Sequence, residues 1–421
     1  MKKIFTAFSL MLLVNCFSQS NWYQVNTPTT KTLTTIDFPS PMVGYIGGED
    51  SVLLKTIDGG QTWNQVNFTG ITFLSGGYDF MRLDFVDENI GYATIGPYTG
   101  TYKTTDGGLT WTQITTSGSL CYNHGLYMMG DGYGFVGGAG CFQGENMDKI
   151  SAGVSSAVTI NTPSWNNHLI VDIDFNPNQF NSFGLAVSSG GRVLRTTDFG
   201  NTWDTITTHL TNTTPLTSIS IVNDTLAYAG YDAGGSIQGL LISTDAGLTW
   251  ASDINTGSFH YPIFYDVYKA PNGNVFSGAK STTTGDGVIF EKDELGVWSA
   301  IDVNFPIRNM TSYNDSIVWG VGENGYVVTN RNFSQLSVFE HNTEYKLTVY
   351  PNPASEAISL QLPENLSQTT YEIEICALNG QVLRQFYNES KNLPIKNLNT
   401  GKYLLKIKFN FTVWHTLFIK E

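Results

Sequence analysis

The sequence predicts an all-β protein, a seven-bladed β-propeller followed by a small C-terminal β-sandwich. Three observations support this fold class. The 421 residues include 43 glycines and are 13% aromatic but only 14% charged, a composition typical of short strands joined by tight turns. An eight-residue motif recurs along the chain, and a glycine-aromatic motif precedes it. Repeats of about 40–50 residues with four strands each are typical of propeller blades.

The eight-residue motif reads Ser/Thr-x-Asp-x-Gly-x-Thr-Trp, and we call it the box. Full copies span residues 56–63, 104–111, 196–203 and 243–250. The box aspartates are separated by 48, 92 and 47 residues. One degenerate copy is therefore predicted near residues 148–151, and a decayed copy spans residues 292–298.

We expect the box to be structural. Its aspartate accepts backbone N–H groups across a tight turn, its glycine takes a backbone angle that other residues avoid, and its tryptophan buries a large ring between blades. An active site is needed once, whereas a turn is needed in every blade. The residues assigned this structural role are Asp58, Trp63, Asp106, Trp111, Asp198, Trp203, Asp245 and Trp250.

Two further patterns divide each repeat into strands. Glycine-aromatic or related segments lie at residues 43–46, 90–93, 133–136, 183–186, 226–229, 274–277 and 317–320, which predicts seven units. Segments of the Ile-Asp-Phe type precede them, for example at residues 36–38, 83–85 and 173–175. Each unit then has four strands: the Ile-Asp-Phe strand, the glycine-aromatic strand, a strand that enters the box, and a strand that starts at the box tryptophan.

The ring also needs closing. Residues 22–26 (Trp-Tyr-Gln-Val-Asn) match residues 63–67 (Trp-Asn-Gln-Val-Asn), which form the fourth strand of the first unit. We therefore expect the N-terminal strand to complete the last blade. The alternative is that residues 333–336 supply this strand.

The box resembles the Asp-box, or BNR repeat, of sialidases, sortilin-type receptors, xyloglucanases and photosystem II stability/assembly factors. The spacing and the glycine-aromatic strands are most similar to those of the assembly-factor propellers. This resemblance covers residues 21–335 and implies the propeller fold. Photosystem assembly itself is not expected of an exported protein.

The C-terminal segment has its own motifs. It contains Tyr-Pro-Asn-Pro-Ala at residues 350–354, Asn-Gly at 379–380 and Gly-Lys-Tyr-Leu-Leu-Lys-Ile at 401–407. Alternating strands with such turns predict a small β-sandwich. Residues 345–421 resemble the type A sorting domain of the type IX secretion system of Bacteroidota, with residues 336–344 as a linker. The resemblance implies an export address that the type IX secretion machinery reads.

The N-terminus and the charge indicate the compartment. Residues 1–20 have the basic, apolar and small-residue regions of a signal peptide; the alternative is a lipoprotein site at Cys16. Residues 21–344 carry 12 basic and 30 acidic residues, so nucleic acid is not an expected partner. We expect a secreted or cell-surface monomer. A disulfide between Cys121 and Cys141, which fall in loops of one unit, is expected to pin residues 137–148.

Ligands of propellers usually bind at one mouth of the central channel, and we expect that mouth on the face opposite the boxes. Candidate ligand-binding residues, near the starts of first strands, are Asp79, Arg82, His124, His168, Asp172, Tyr265 and Arg308. Loops after the second strands add an acidic and aromatic rim: Glu49, Asp50, Tyr98, Glu145, Tyr231, Asp232, Asp286 and Glu323. No HxH or HExxH spacing is present, so we expect neither a metal nor another cofactor.

The leading functional hypothesis is a non-catalytic binding module for a glycan, a peptide or a surface partner. The alternative is an Asp-box glycoside hydrolase, sialidase-like or xyloglucanase-like, and a purely structural surface protein is a third reading. A sialidase needs three arginines around the substrate carboxylate, but no Phe-Arg-Ile-Pro sequence occurs. A xyloglucanase is normally a pair of propellers. The arginines of residues 21–344 are Arg82, Arg192, Arg195, Arg308 and Arg331.

Overall fold

The computed structural model shows two compact units, Met1–Phe333 and Ser334–Glu421, both built from β-strands. The described residues contain no helix that is long and apolar enough to cross a membrane. The structure describes residues 21–71, 78–96, 100–114, 122–130, 132–140, 144–151, 154–157, 159–161, 168–176, 183–208, 210, 214–232, 238–253, 262–270, 273–293, 296–313, 317–333, 348–361, 371–377, 382–388, 391–409 and 412–421.

The first unit holds seven sheets among these residues, a number consistent with the seven predicted repeats. After β1 (Tyr23–Val25), blade 1 comprises β2 (Leu33–Asp37), β3 (Gly44–Gly48), β4 (Leu53–Thr56) and β5 (Asn64–Gln65). Blade 2 comprises β6 (Asp79–Phe85), β7 (Gly91–Gly96), β8 (Gly100–Thr104) and β9 (Thr112–Gln113). Blade 3 comprises β10 (Tyr122–Gly130), β11 (Tyr133–Gly140), β12 (Gly144–Ser151) and β13 (Val154–Ala157).

Blade 4 has a fifth strand. β14 (Thr159–Asn161) pairs in parallel with β18 at the outer edge. The other strands are β15 (Ile170–Phe175), β16 (Gly184–Ser188), β17 (Arg192–Thr196) and β18 (Thr202–Thr207). The chain therefore passes the rim of blade 4 before it enters that blade's first strand.

Three blades complete the ring. Blade 5 comprises β19 (Leu216–Ile221), β20 (Ala227–Asp232), β21 (Gln238–Ser243) and β22 (Ala251–Ser252). Blade 6 comprises β23 (Pro262–Lys269), β24 (Val275–Ser281), β25 (Gly287–Lys292) and β26 (Trp298–Val303). Blade 7 comprises β27 (Ile307–Ser312), β28 (Val318–Gly322), a 3₁₀ turn (Glu323–Gly325) and β29 (Val327–Thr329).

The N-terminal strand closes the ring, as the sequence predicts. β1 pairs antiparallel with β29, with Gln24 opposite Val328, and so forms the outer strand of blade 7. The chain that follows is held to the same blade, because the Thr27 hydroxyl donates to the Gly325 carbonyl at 2.7 Å. The alternative segment starts at Phe333, whose ring packs on Trp319 instead; residues 334–336 lie outside the described residues.

First strands of neighbouring blades contact one another around the whole ring, so they line the axis. In blade 1 the start of the first strand lies opposite the end of the second, since Leu33 pairs with Gly48. The start of the second strand lies opposite the box, since Gly44 pairs with Thr56. The boxes therefore occupy one face of the ring, the box face. First strands begin at the other, the loop face.

The box turns show why the motif repeats. In the first copy, Oδ1 of Asp58 accepts the Thr62 N–H at 2.9 Å and Oδ2 accepts its hydroxyl at 2.5 Å. The Thr56 hydroxyl donates to Asp58 and accepts the Gly60 N–H at 2.9 Å. Gly60 has a φ of 85°, a left-handed angle that suits glycine. The decayed copy keeps the central bond, since Asp293 accepts the Val297 N–H at 2.8 Å.

Aromatic rings from two blades meet beside the first and third full boxes. Phe175, on the first strand of blade 4, lies 5.1 Å from Phe135 of blade 3 and 5.6 Å from the box residue Trp203. Phe38 occupies the corresponding place between Trp319 and Trp63. Burying three large rings at a blade junction contributes several kcal/mol, at about 25 cal/mol per Å² of apolar area.

The second unit has two sheets around one core. One sheet contains β30 (Thr348–Tyr350), β31 (Ala357–Gln361) and β34 (Leu393–Pro394), and the other contains β32 (Glu372–Cys376), β33 (Val382–Tyr387), β35 (Gly401–Phe409) and β36 (Thr412–Lys420). Buried residues of both sheets share one cluster, which includes Ile358, Leu393, Ile375 and Leu405. The predicted sandwich is present, and the aromatic C-terminal segment forms its last strand.

Candidate functional site at the propeller axis

All seven first strands carry a β-bulge near the loop face. The register shifts by one residue or more at Thr34, Met81, His124–Gly125, Val171, Thr217, Tyr265 and Arg308. A bulge turns its side chain out of the normal alternation. Except for buried Val171, the side-chain-bearing bulge residues are partly exposed, so they form the lining of a mouth around the axis.

Two of the candidates meet at this mouth. The guanidinium carbon of Arg308 lies 4.0 Å from the ring centroid of Tyr265 in the neighbouring blade. Nη2 of Arg308 donates to Glu323 at 2.5 Å, and Nζ of Lys280 lies 3.8 Å from the same carboxylate oxygen. Nε of Arg308 is buried and finds no acceptor among the described residues. The result is a stacked aromatic-cation platform with one donor left unused.

A second group of candidates comprises Arg82 and Asp172, one residue past the bulges of their strands, and the bulged residue His124. Nε of Arg82 lies 3.9 Å from Oδ1 of Asp172, with both side chains about one-seventh exposed. His124 donates from Nδ1 to the Val171 carbonyl at 3.0 Å. Burial, and then the positive charge of Arg82, lower the pKa of His124 to about 4. The imidazole is therefore neutral at pH 7.

Two candidates lie apart from this group. Asp79 is the first residue of β6, and its carboxylate accepts the Asp50 N–H at 3.1 Å. His168 precedes β15 and is partly buried. Among the described residues no group of three or more His, Cys, Asp or Glu side chains is placed to hold a metal ion. Cys121, Cys141 and Tyr98 lie outside the described residues, as does the side chain of Glu145, so the disulfide stays a prediction.

Beneath the mouth lies a cavity of about 430 Å³ lined by the first strands of all seven blades. The residues that follow the bulges in five blades line it, and we call them the upper tier: Thr35, Arg82, Asp172, Asp266 and Asn309. Nearer the box face the lining includes Tyr127, Asp174, Tyr268 and Lys269. Sequence reasoning selected Arg82 and Asp172 but missed Asp266 and Asn309.

Polar side chains of the first strands also join each blade to the next. Asp37 accepts the Phe85 N–H at 2.6 Å, and Asp84 accepts the Met128 N–H at 2.7 Å. The same contact recurs from Asp174 to Ile221 N at 2.6 Å, from Ser220 to Lys269 N at 3.2 Å and from Asp266 to Met310 N at 2.7 Å. The Tyr127 hydroxyl reaches the Phe175 carbonyl at 3.4 Å. Asn309 completes the circle by accepting the Ile36 N–H at 2.9 Å.

The axial carboxyl groups titrate far from their ordinary range. Burial raises the pKa of Asp174 to about 7. Burial, followed by the neighbouring charge of Asp172, raises the pKa of Asp266 to about 7, and burial with the charge of Asp37 raises the pKa of Asp84 to about 8. For Asp84 and Asp174 the sequence signal was the aspartate of the Ile-Asp-Phe pattern, at the same place in successive repeats, whereas Asp266 lies outside that pattern.

Comparisons with known proteins agree with this architecture. Residues 14–125 match the family described as photosynthesis system II assembly factor YCF48, and residues 348–421 match the secretion system C-terminal sorting domain. The structure of YCF48 bound to a D1 peptide is similar, with a TM-score of 0.55 and 19% identity over 73% of this chain and 96% of that chain. YCF48 from Cyanidioschyzon merolae is similar with a TM-score of 0.56 and 18% identity, over 73% of this chain and 98% of that chain.

An ancestral GH74 enzyme gives a TM-score of 0.54 and 12% identity, covering 94% of this chain and 63% of that one. At these identities the solved structures show the fold alone. No curated protein matches the chain in sequence.

Fold and repeats together define the class: a BNR-like β-propeller. More particularly, the chain combines a propeller of the photosystem II assembly factor (YCF48-like) type with a C-terminal sorting domain of the type IX secretion system. It is an exported protein, secreted or displayed at the cell surface.

Proposed function

We propose that the propeller is a non-catalytic binding module that holds a peptide segment of a surface or extracellular partner across the mouth on the loop face. The observation that carries this proposal is the ring of bulges. The four full boxes and the decayed copy lie on one face with the same turn geometry. On the other face, six of the seven bulges present partly exposed residues of several chemical types. A recognition surface requires such unlike side chains, whereas a scaffold does not.

A peptide fits the chemistry of the mouth better than a bare sugar chain. The guanidinium of Arg308, whose side chain is about one-third exposed, suits a peptide carbonyl. The ring of Tyr265 offers apolar area beside it. Loop-face carboxylates such as Glu49 and Asp232 favour a peptide with basic residues. The YCF48 structure with a bound D1 peptide supports the idea that this fold accommodates such ligands.

The hydrolase alternative is less well supported. An inverting glycoside hydrolase needs two carboxyl groups that face each other across a groove, one of them free to donate a proton. Glu323 is paired with Arg308 and Lys280, and Asp50 with Lys31 at 2.5 Å. These contacts tie both carboxylates to scaffold cations.

The test is a peptide array and a glycan array probed with the full chain, followed by affinity measurement on the best ligand. Arg308→Ala and Tyr265→Ala are expected to weaken binding about tenfold or more. The matched control Lys149→Ala removes a cation from the box face, where it bonds to the Phe199 carbonyl, and should leave the affinity unchanged. Equal affinities for the mouth variants and the wild type would refute the site. A hydrolysis screen with turnover lost in Glu323→Gln would refute the non-catalytic reading.

A further inference from the structure

The axial cavity is separate from the mouth in both size and lining. About 430 Å³ is within the range of small-molecule pockets, and too little for a folded partner. Its upper tier lies on the residues that follow the bulges, whereas the mouth is formed by the bulged residues themselves. The cavity can therefore hold a small ligand of its own.

The upper tier leaves one cation with unused donors. Nε of Arg82 lies 3.9 Å from Asp172, beyond hydrogen-bond distance. Nη1 donates to the Met81 carbonyl at 3.2 Å. No acceptor for Nη2 is found among the described residues. A guanidinium with free N–H groups in a partly buried site suits a carboxylate.

The same tier leaves a carboxylate oxygen unused. Asp266 is only 4% exposed. Its Oδ2 accepts the Met310 N–H at 2.7 Å and Nδ2 of Asn309 at 3.0 Å, while Oδ1 accepts nothing from the residues that the structure describes. In Asp172, Oδ2 accepts the Ile219 N–H at 2.9 Å, and Oδ1 lies 3.9 Å from Nε of Arg82. Two carboxylate oxygens thus face the cavity next to a single guanidinium.

We propose that the upper tier binds a small zwitterion of the amino-acid type, with its carboxylate on Arg82 and its ammonium group between Asp266 and Asp172. The charges favour this class over a simple anion or cation. An anion would meet two carboxylates, and a cation lacking a carboxylate would leave the Arg82 donors unused. The zwitterion satisfies both ends, and a buried polar group gains most when its partner is supplied.

Burial and the neighbouring Asp172 raise the pKa of Asp266 to about 7 although the charge of Arg82 lowers it, so Arg82 compensates the two carboxylates only in part. An ammonium group placed there would supply the missing positive charge and lower the pKa of Asp266. The proposal does not rest on peptide binding at the mouth.

The experiment is isothermal titration calorimetry of the full chain with the free amino acids, each at up to about 10 mM. For each amino acid that binds, the N-acetylated form, which lacks the ammonium group, and the amide, which lacks the carboxylate, are then titrated. We expect each loss to weaken binding about tenfold or more. Heat from no amino acid, or equal affinity for either blocked form, would overturn the proposal.

Variants locate the site. Asp266→Asn keeps an acceptor for the Met310 N–H but removes the charge, and Arg82→Gln removes the guanidinium. Both are expected to weaken amino-acid binding about tenfold. Asp286→Asn, on an exposed loop, and Arg192→Gln, outside the cavity lining, carry the same charge changes and should bind as the wild type does. Equal losses in the controls would overturn the assignment.

Two further measurements separate the possible failures. Thermal melting of each variant shows whether it folds, and if Asp266→Asn does not, the blocked amino acids decide alone. Arg308→Ala, at the mouth, is expected to leave amino-acid affinity within about threefold. A tenfold loss there would place the ligand at the mouth and contradict the cavity site. Failure of the peptide arrays would leave these titrations unaffected.

Discussion

The box turns and the first strands use aspartate in opposite ways. A box aspartate bonds to residues two to four positions away, as Asp198 does with Thr196 and Thr202. A first-strand aspartate bonds to a residue of the next blade, as Asp84 does with Met128, 44 positions away. The box shapes one turn within one blade. The first-strand contact exists only when two blades are already side by side.

The two kinds of aspartate also titrate in opposite directions. Hydrogen bonds from the hydroxyl and the N–H of Thr249 lower the pKa of Asp245, so its contribution to stability is present above the ordinary carboxyl range and is lost as the pH falls. Burial raises the pKa of Asp84 to about 8, so its contribution is present at low pH and is lost as the pH rises. The same residue type therefore has a raised or a lowered pKa according to its place in the fold. The direction is set by how deeply the carboxyl group is buried and by which groups donate hydrogen bonds to it.

The largest effect is expected where the two regions share a core. Trp203 is fully buried between Phe135 and Phe175, so Trp203→Ala should lower the free energy of unfolding by about 3–5 kcal/mol. Denaturant titration measures this. Leu248, an exposed box residue, is the control, and Leu248→Ala should stay within about 0.5 kcal/mol. Similar losses in both variants would contradict the packing account.

The second prediction concerns the contact between the first strands of blade 7 and blade 1, where the ring closes. Asn309→Leu removes the acceptor of the Ile36 N–H, 273 positions away, and leaves that buried donor unpaired. We expect a loss of about 1–3 kcal/mol in the free energy of unfolding. Asn309→Asp retains an acceptor for this N–H, and should recover stability at low pH. If both variants unfold alike at pH 4, the closing bond is not the cause.

The opposite titrations give a third prediction. Wild-type stability owed to Asp84 is lost as the pH rises from about 4 towards 8. Asp84→Asn keeps an acceptor for the Met128 N–H without the charge, so it should raise stability at pH 8 by on the order of 1–2 kcal/mol. At pH 4 the variant and the wild type should be nearly equal. Melting temperatures across this range measure the difference, and a variant that is less stable at pH 8 would contradict it.

A smaller effect is expected for a single box. Asp198→Ala removes acceptors from the N–H and hydroxyl of Thr202, which are near solvent and regain water. The expected loss is about 1 kcal/mol, with no change in ligand affinity at the loop face. Asp286→Ala, on an exposed loop, should cost less. A box variant that abolished binding without unfolding would show that the box face also takes part in recognition.

Much of the fold could be predicted, because short sequence motifs specify its turns and strands. The box repeats specify a turn within eight residues, and the Ile-Asp-Phe and glycine-aromatic patterns specify the strands beside it. The match between residues 22–26 and 63–67 was enough to predict closure by β1. The candidate site was predicted only in part. Arg82, Asp172, Tyr265 and Arg308 lie at the axis, whereas Asp79 bonds to a neighbouring loop.

The sequence by itself determined the repeat, the four-strand order, the closing strand and the sorting domain. Only the tertiary structure decided where the axial side chains point. Each first strand bulges at a residue that no motif marks, and a shift of one residue turns a side chain from the blade interior to the mouth. Asp266 and Asn309 acquire their partners from different blades. Such contacts depend on the assembled ring, because the donor and the acceptor of each hydrogen bond belong to different blades.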